Sequence, residues 1–166
     1  NSRFQKIDGV LAGRLNEFSA GFYYSDRELL NVDRNATLMA VAAKMAIQDA
    51  GNINAEFLSS SDKMAVVVGT TFSIATSMSD FDESVLRNGP RHCNIGSFPN
   101  AVMNAPASRV AIFQRIKGPN VTIASGRNSG ADAIGLAREM VSEGLATFAI
   151  CGSTEALSEK LLFAMS

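Results

Sequence analysis

Gly118-Pro119-Asn120-Val121-Thr122-Ile123-Ala124-Ser125-Gly126-Arg127-Asn128-Ser129-Gly130 is the stretch that decides the fold. Val121-Thr122-Ile123 is a short β-branched run of the kind that fills a buried strand. It stops at a turn of small residues, after which Asn128-Ser129 are placed to cap a long helix beginning near Gly130. A strand, a tight turn and a helix in that order make an elbow. Such an elbow holds one side chain at a helix mouth, where unpaired backbone N–H groups and the positive end of the helix dipole face a reactant. Here that side chain is Arg127.

Outward from the elbow, Met64-Ala65-Val66-Val67-Val68-Gly69 is a continuous apolar run of strand length, which predicts a strand covered on both faces of a parallel sheet. Phe148-Ala149-Ile150 predicts the next such strand. Helices are expected from Asp33 to Ala50, capped by Asp33 and stopped at Gly51, with Leu38, Val41, Met45 and the alanines between them as the apolar face. A shorter one follows Ser25-Asp26-Arg27-Glu28, and another runs from Thr70-Thr71-Phe72-Ser73 to Leu86, broken by Asn88-Gly89-Pro90. Ser97 and Pro99 open a helix that is expected to continue through Phe113, with Pro106 bending it or demanding local rearrangement. The helix from Gly130 to Ser142 carries small residues on one side and bulky ones on the other, which suits contact nearly all round. Residues 1–20 read as a short strand or extended arm, and 52–62 as a polar connection. Alternating strands and helices imply right-handed crossovers and a mostly parallel α/β sheet.

Composition narrows the function. A chain of 166 residues is about one domain and can bury a core. A net charge of −1 with 19% charged residues, no basic run and no interleaved aromatic stripe argues against nucleic acid. No apolar run approaches the roughly 18 residues of a membrane span. Asn1-Ser2-Arg3-Phe4-Gln5-Lys6 is not the start of a signal peptide, and the chain begins in what reads as mid-domain, as expected of the ordered part of a longer product. Cys93 and Cys151 read as reduced thiols, so a cytoplasmic setting is expected. The sequence calls for no cofactor and no metal.

The elbow resembles the nucleophile loop of the β-ketoacyl-acyl-carrier-protein synthases, the Claisen-condensing branch of the thiolase-like enzymes, whose usual text is GPN, a short strand and a Cys-containing TAC-x-[ST]-G turn. Gly118-Pro119-Asn120 and Ser129-Gly130 match without a gap, and the family's cysteine falls on Arg127. Further resemblances lie in Leu30-Asn31-Val32-Asp33-Arg34, Gln48-Asp49-Ala50-Gly51, Phe81-Asp82, and Pro99 with Asn104, which keep a PxxxxN spacing. Cys151-Gly152-Ser153-Thr154-Glu155-Ala156 is similar to a GG-[ST]-E-A turn, with Cys for the first glycine. The resemblance covers roughly residues 7 to 160. The family's second glycine after the Val66-Val67-Val68-Gly69 strand is replaced by Phe72 or Ser73, so that loop is expected to follow another path.

The resemblance implies a thiolase-like layered α/β/α fold with a buried central helix, one half of a two-half architecture, and residues 1–166 as a ketosynthase-like N-terminal domain. The family's first core strand and its second half, with the catalytic His and Lys residues, are not in this sequence. It also implies a dimer face and acyl pocket at Val102, Met103 and Asn104, with Gly126, Asn128 and Ser129 around Arg127. Guanidinium stays protonated, offers no lone pair to an acyl thioester, and sets a cation against the positive end of the helix dipole. Ser125 and Ser129 are the nearest hydroxyls, but no general base is visible for them and both suit turn or capping roles. His92 reads as a solvated loop residue. Three functions remain open. One is a non-condensing partner of a condensing ketosynthase subunit, like the chain-length-factor subunits of polyketide and aryl-polyene systems. Another is altered chemistry, such as decarboxylation of a malonyl thioester held by Arg127. The third is a dimeric interaction module without catalysis. The implied partners are acyl carrier protein or an acyl thioester, and a homodimer or heterodimer mate. For Arg127 itself the alternatives are a carboxylate-binding cation or a pocket filler paired with a nearby acid.

Overall fold

The structure is a computed structural model that describes residues 4–7, 10–13, 15, 17–51, 61–72, 75–158 and 160–162. In chain order the strands are β1 (Phe4–Ile7), β2 (Val10–Gly13), β3 (Met64–Gly69), β4 (Asn120–Ile123) and β5 (Phe148–Ser153). The helices are α1 (Asp26–Leu29), α2 (Arg34–Asp49), α3 (Ala75–Asn88), α4 (Ala105–Gln114) and α5 (Ser129–Ser142). β1 and β2 pair antiparallel where a short strand or extended arm was expected. Most of the polar connection, residues 52–60, lies outside the described residues.

β3 is the centre. It pairs in parallel with β4 on one side and β5 on the other, with Val67 opposite Val121 and Cys151. Its side chains alternate between two cores. Met64, Val66 and Val68 pack with Met39 and Ala43 of α2 and Ala107 and Val110 of α4. Ala65 and Val67 pack with Ala133, Ala137 and Met140 of α5. All six residues of β3 are buried, which is why the run carries no polar alternation. Each of its valines contributes roughly 1.5–3 kcal/mol of burial. The architecture is the three-layered α/β/α arrangement expected.

The caps of α1 and α2 form as read. Ser25 and Glu28 make a reciprocal capping box, and Asp33 accepts from the Ala36 N–H at 2.7 Å. The buried face of α2 holds Val41 and alanines as expected, but is centred elsewhere. Ala36, Met39, Ala40 and Ala43 turn inward, Leu38 is half-buried and Met45 is exposed. Alanine at several turns lets α2 roll until Met39 reaches the sheet, where its methyl comes within 3.4 Å of the position a Gly152 Cβ would take.

The helix expected through Pro106 is two elements. A 3-10 segment covers Ile95–Asn100, and α4 begins afresh at Ala105 with Pro106 in its first turn, where the missing N–H costs no hydrogen bond. Asn94 caps the 3-10 segment through Gly96 N–H, while Ser97 donates to the Asn94 carbonyl. α5 is covered on one side only. Ser129, Ala133, Ala137 and Met140 are buried, while Ile134 and Val141 face outward. β5 extends to Ser153, so Cys151 is a strand residue, not part of a turn.

Burial pushes the Asp33 carboxyl up, opposed by the Ala36 N–H, the Ser77 hydroxyl and Arg109. The folded chain therefore holds this proton more tightly than the unfolded chain. Its stabilising contribution is complete below the ordinary aspartate value and is lost as pH rises through the raised one. Asn caps as well as Asp without titrating. Asp33→Asn should therefore gain on the wild type in urea unfolding as pH rises from below the ordinary aspartate value through the raised one. A constant difference across that range would contradict the buried carboxyl.

Candidate functional site

The elbow sits at the carboxyl ends of the parallel strands, where open α/β sheets bind ligands. β4 ends at Ile123, a 3-10 turn covers Gly126–Asn128, and α5 starts at Ser129. Gly126 has φ +79°, a left-handed conformation that side-chain-bearing residues rarely adopt. Neither Asn128 nor Ser125 makes the expected side-chain cap. Ser129 Oγ instead turns back, accepting from Ser125 N–H at 3.0 Å and donating to the Gly126 carbonyl at 2.6 Å. Because the 3-10 turn feeds straight into the helix, there is no extended cap residue for an Asn to occupy.

Two glycines let this turn press onto the sheet. A Cβ on Gly69 would lie 2.2 Å from the Ser129 carbonyl oxygen, and one on Gly130 would lie 2.7 Å from Ser153 Oγ. Asn120, the Asn of the GPN triplet, donates from Nδ2 to the Ala107 carbonyl at 3.1 Å, tying the start of β4 to α4.

Glu155 was not singled out as a site residue, yet its carboxylate organises the neighbouring loop. It accepts from Thr70 Oγ1 at 2.8 Å, from the Thr71 N–H and from the Phe72 N–H at 3.1 Å. Thr71 Oγ1 then donates to the Gly126 carbonyl at 2.9 Å. The described part of the loop after β3, Thr70–Phe72, is thus held by a carboxylate, while Ser73 lies outside the described residues. The sequence signal was the STEA text, but the text does not say which N–H groups its Glu meets. Thr71→Val removes the hydroxyl and keeps the shape, so it should cost about 1 kcal/mol and raise hydrogen exchange at residues 126–130. Glu155→Ala should raise exchange at residues 70–72 as well. Unchanged exchange at the elbow in both variants would remove the link.

Arg127 is exposed and, among the described residues, makes no ion pair. Among the described residues the pocket-filling pair with a nearby acid is not formed. Asp132, in the first turn of α5, accepts instead from Ser125 Oγ. That carboxylate, three residues into the helix, was invisible to a search for bases near Ser125 in the sequence. Ser129 is buried, its proton is held by the Gly126 carbonyl and its oxygen accepts from Ser125 N–H, so it is a structural hydroxyl of the turn. Val102 is half-buried, Met103 is 39% exposed, and Asn104 stands exposed ahead of α4 without capping it. Among the described residues no hydrogen bond joins these three to the elbow. His92 is exposed beside the Asn88 carbonyl, and Cys93 and Cys151 are free thiols. Partial desolvation pushes the Cys151 thiol up, although the residue itself is exposed. Among the described residues no group of His, Cys, Asp and Glu is arranged to hold a metal ion, and no helix is long and apolar enough to cross a membrane.

A parallel sheet with helices on both faces and a strand-turn-helix elbow at its carboxyl edge is the architecture of a thiolase-like ketosynthase half. The chain belongs to the β-ketoacyl synthase family, since the family model described as Beta-ketoacyl synthase, N-terminal domain, matches residues 4–165. It is 30% identical over 165 residues to the 3-oxoacyl-[acyl-carrier-protein] synthase 2 of Synechocystis sp., covering 98% of this chain and 39% of that protein. It is 28% identical over 138 residues to the same-named protein of Rhizobium meliloti, covering 83% of this chain and 32% of that one. The chain therefore spans about two fifths or less of these relatives. Among solved structures, the ishigamide ketosynthase/chain length factor superposes with a TM-score of 0.77 at 27% identity, over 93% of this chain and 43% of that chain. A type II PKS acyl-carrier protein in complex with its ketosynthase gives a TM-score of 0.80 at 20% identity, over 91% of this chain and 43% of that one, which bears on the fold alone.

Proposed function

We propose that this chain is the N-terminal domain of a ketosynthase-like protein of fatty-acid or polyketide biosynthesis that does not condense acyl groups itself. It acts as the partner of a condensing subunit, in the manner of a chain length factor, in the cytoplasm. The observation that carries this reading is Arg127 at the elbow, in the position the resemblance assigns to the family's cysteine. A guanidinium cannot be acylated, while the sheet, the helix after the elbow and the run Val102-Met103-Asn104 remain to support assembly. The acyl chain would then be carried by the partner and delivered on acyl carrier protein.

Mixing the chain with candidate condensing subunits and acyl carrier protein, followed by size-exclusion chromatography and intact mass spectrometry, tests it. A stable heterodimer, and no covalent adduct on this chain after exposure to a malonyl or fatty-acyl thioester, are the expected results. An adduct on this chain would end the proposal.

A second reading rests on Arg127 being exposed and free of an acid among the described residues. Such a cation can orient a malonyl carboxylate while the N–H groups of the turn face the thioester oxygen; CO2 then leaves, its bonding pair is held as the thioester enolate at that oxygen, and a solvent proton completes the acetyl thioester without an acyl-enzyme. It predicts malonyl-thioester turnover that disappears in Arg127→Ala. A purely structural dimeric module predicts neither turnover nor a partner.

A further inference from the structure

At the elbow, one carbonyl oxygen accepts more hydrogen bonds than its two lone pairs ordinarily take. The Gly126 oxygen accepts from Thr71 Oγ1 at 2.9 Å, from Ser129 Oγ at 2.6 Å and from the Ser129 N–H. Both Ser129 donors are local, so they close the turn without help from the sheet. Thr71 comes from the loop after β3, 55 residues away in sequence. It is fixed there because the Glu155 carboxylate accepts from its N–H, from Thr70 Oγ1 at 2.8 Å and from the Phe72 N–H at 3.1 Å. The peptide that carries the Gly126 oxygen joins it to Arg127 and is trans, so the N–H of residue 127 lies on its far side. Hydrogen bonds in series polarise one another, and each donor on the oxygen makes that N–H a stronger donor in turn.

The structure assigns Thr71 as a positioning residue for the N–H of residue 127, which its hydroxyl strengthens through the Gly126 carbonyl. This rests on the decarboxylation reading and deepens it, since there negative charge collects on the thioester oxygen as the enolate forms. A stronger N–H holds that oxygen more tightly in the transition state than in the ground state, where it is an uncharged carbonyl. Thr71 acts through the peptide, not on the substrate. Its contribution should therefore appear in kcat and leave KM almost unchanged. Ser129 keeps the turn closed when the Thr71 hydroxyl is lost, so the N–H weakens while the elbow persists.

Two measurements on Thr71→Val and Thr71→Ser test this, with Thr71→Ala as a second deletion of the hydroxyl if valine disturbs the loop. By NMR, the amide proton of Arg127 should move upfield in Thr71→Val and return in Thr71→Ser, while the amides of β3 stay in place. With a malonyl thioester, Thr71→Val should lower kcat about fivefold, hold KM within about twofold, and recover in Thr71→Ser. If no variant and no wild type turns the thioester over, the decarboxylation reading falls, and the amide shift alone decides for or against Thr71. An unmoved Arg127 amide, a Thr71→Ser that behaves like Thr71→Val, or a loss confined to KM overturns the inference.

Discussion

Gly69→Ala is expected to destabilise the chain by about 3 kcal/mol or more. The new Cβ would stand 2.2 Å from the Ser129 carbonyl oxygen, 2.4 Å from its carbon and 2.7 Å from the Gly130 nitrogen. All three are backbone atoms, so no rotamer change relieves the overlap. Relief requires moving the first turn of α5 off the end of β3, and with it the elbow. Backbone conformation is not the cause, because Gly69 is an ordinary strand residue in register with Ile123 and Ser153. Gly135→Ala is the control. Nothing lies within 4 Å of its Cβ, it sits inside α5, and the substitution should stabilise by about 0.5–1 kcal/mol. Urea unfolding of the two variants beside the wild type measures both. Equal midpoints for the two would show that α5 does not bear on β3 as described.

The parts of this fold that were legible in the sequence are those fixed by neighbours along the chain. β3 declares itself because burial on both faces leaves no polar position in Met64–Gly69, and the Asp33 cap and Ser25–Glu28 box are local hydrogen bonds. The elbow was legible because a strand, small residues and a helix follow one another directly. Contacts that close across the sheet were not. Glu155 reaches Thr70 from 85 residues away, and nothing in either segment announces the pairing. Pro106 misled because a proline within an apolar helical period has two outcomes, a kink or a new first turn, and only the path of residues 101–104 decides between them. The rotation of α2 was hidden by its alanines, which make several faces almost equally apolar, so that Met39 rather than Met45 met the sheet.

If the turn at Gly126–Asn128 retains the electrostatics of a nucleophile site, Arg127→Cys should yield a thiol with a pKa about one unit or more below the ordinary value near 8.5. The Gly126 carbonyl is held inward by the hydroxyls of Thr71 and Ser129. Its peptide bond is trans, so the N–H of residue 127 points the opposite way, toward whatever stands in front of the turn. The dipole of α5 adds positive potential, and removing the guanidinium relieves a cation already placed against that dipole. Asp132 works against the shift, but its carboxylate is bonded to the Ser125 hydroxyl, which spreads part of its charge. Cys151 provides an internal reference, since partial desolvation pushes its thiol up. Thiolate absorbance against pH, with iodoacetamide labelling at about pH 7, should show residue 127 reacting at least about tenfold faster than Cys151. The same variant, offered a fatty-acyl thioester, should acquire an adduct that the wild type lacks. A thiol titrating at or above the ordinary value would mean that the substitution at 127 came with loss of the site itself. A depressed pKa would mean that the chain kept the doorway and gave up only the sulfur.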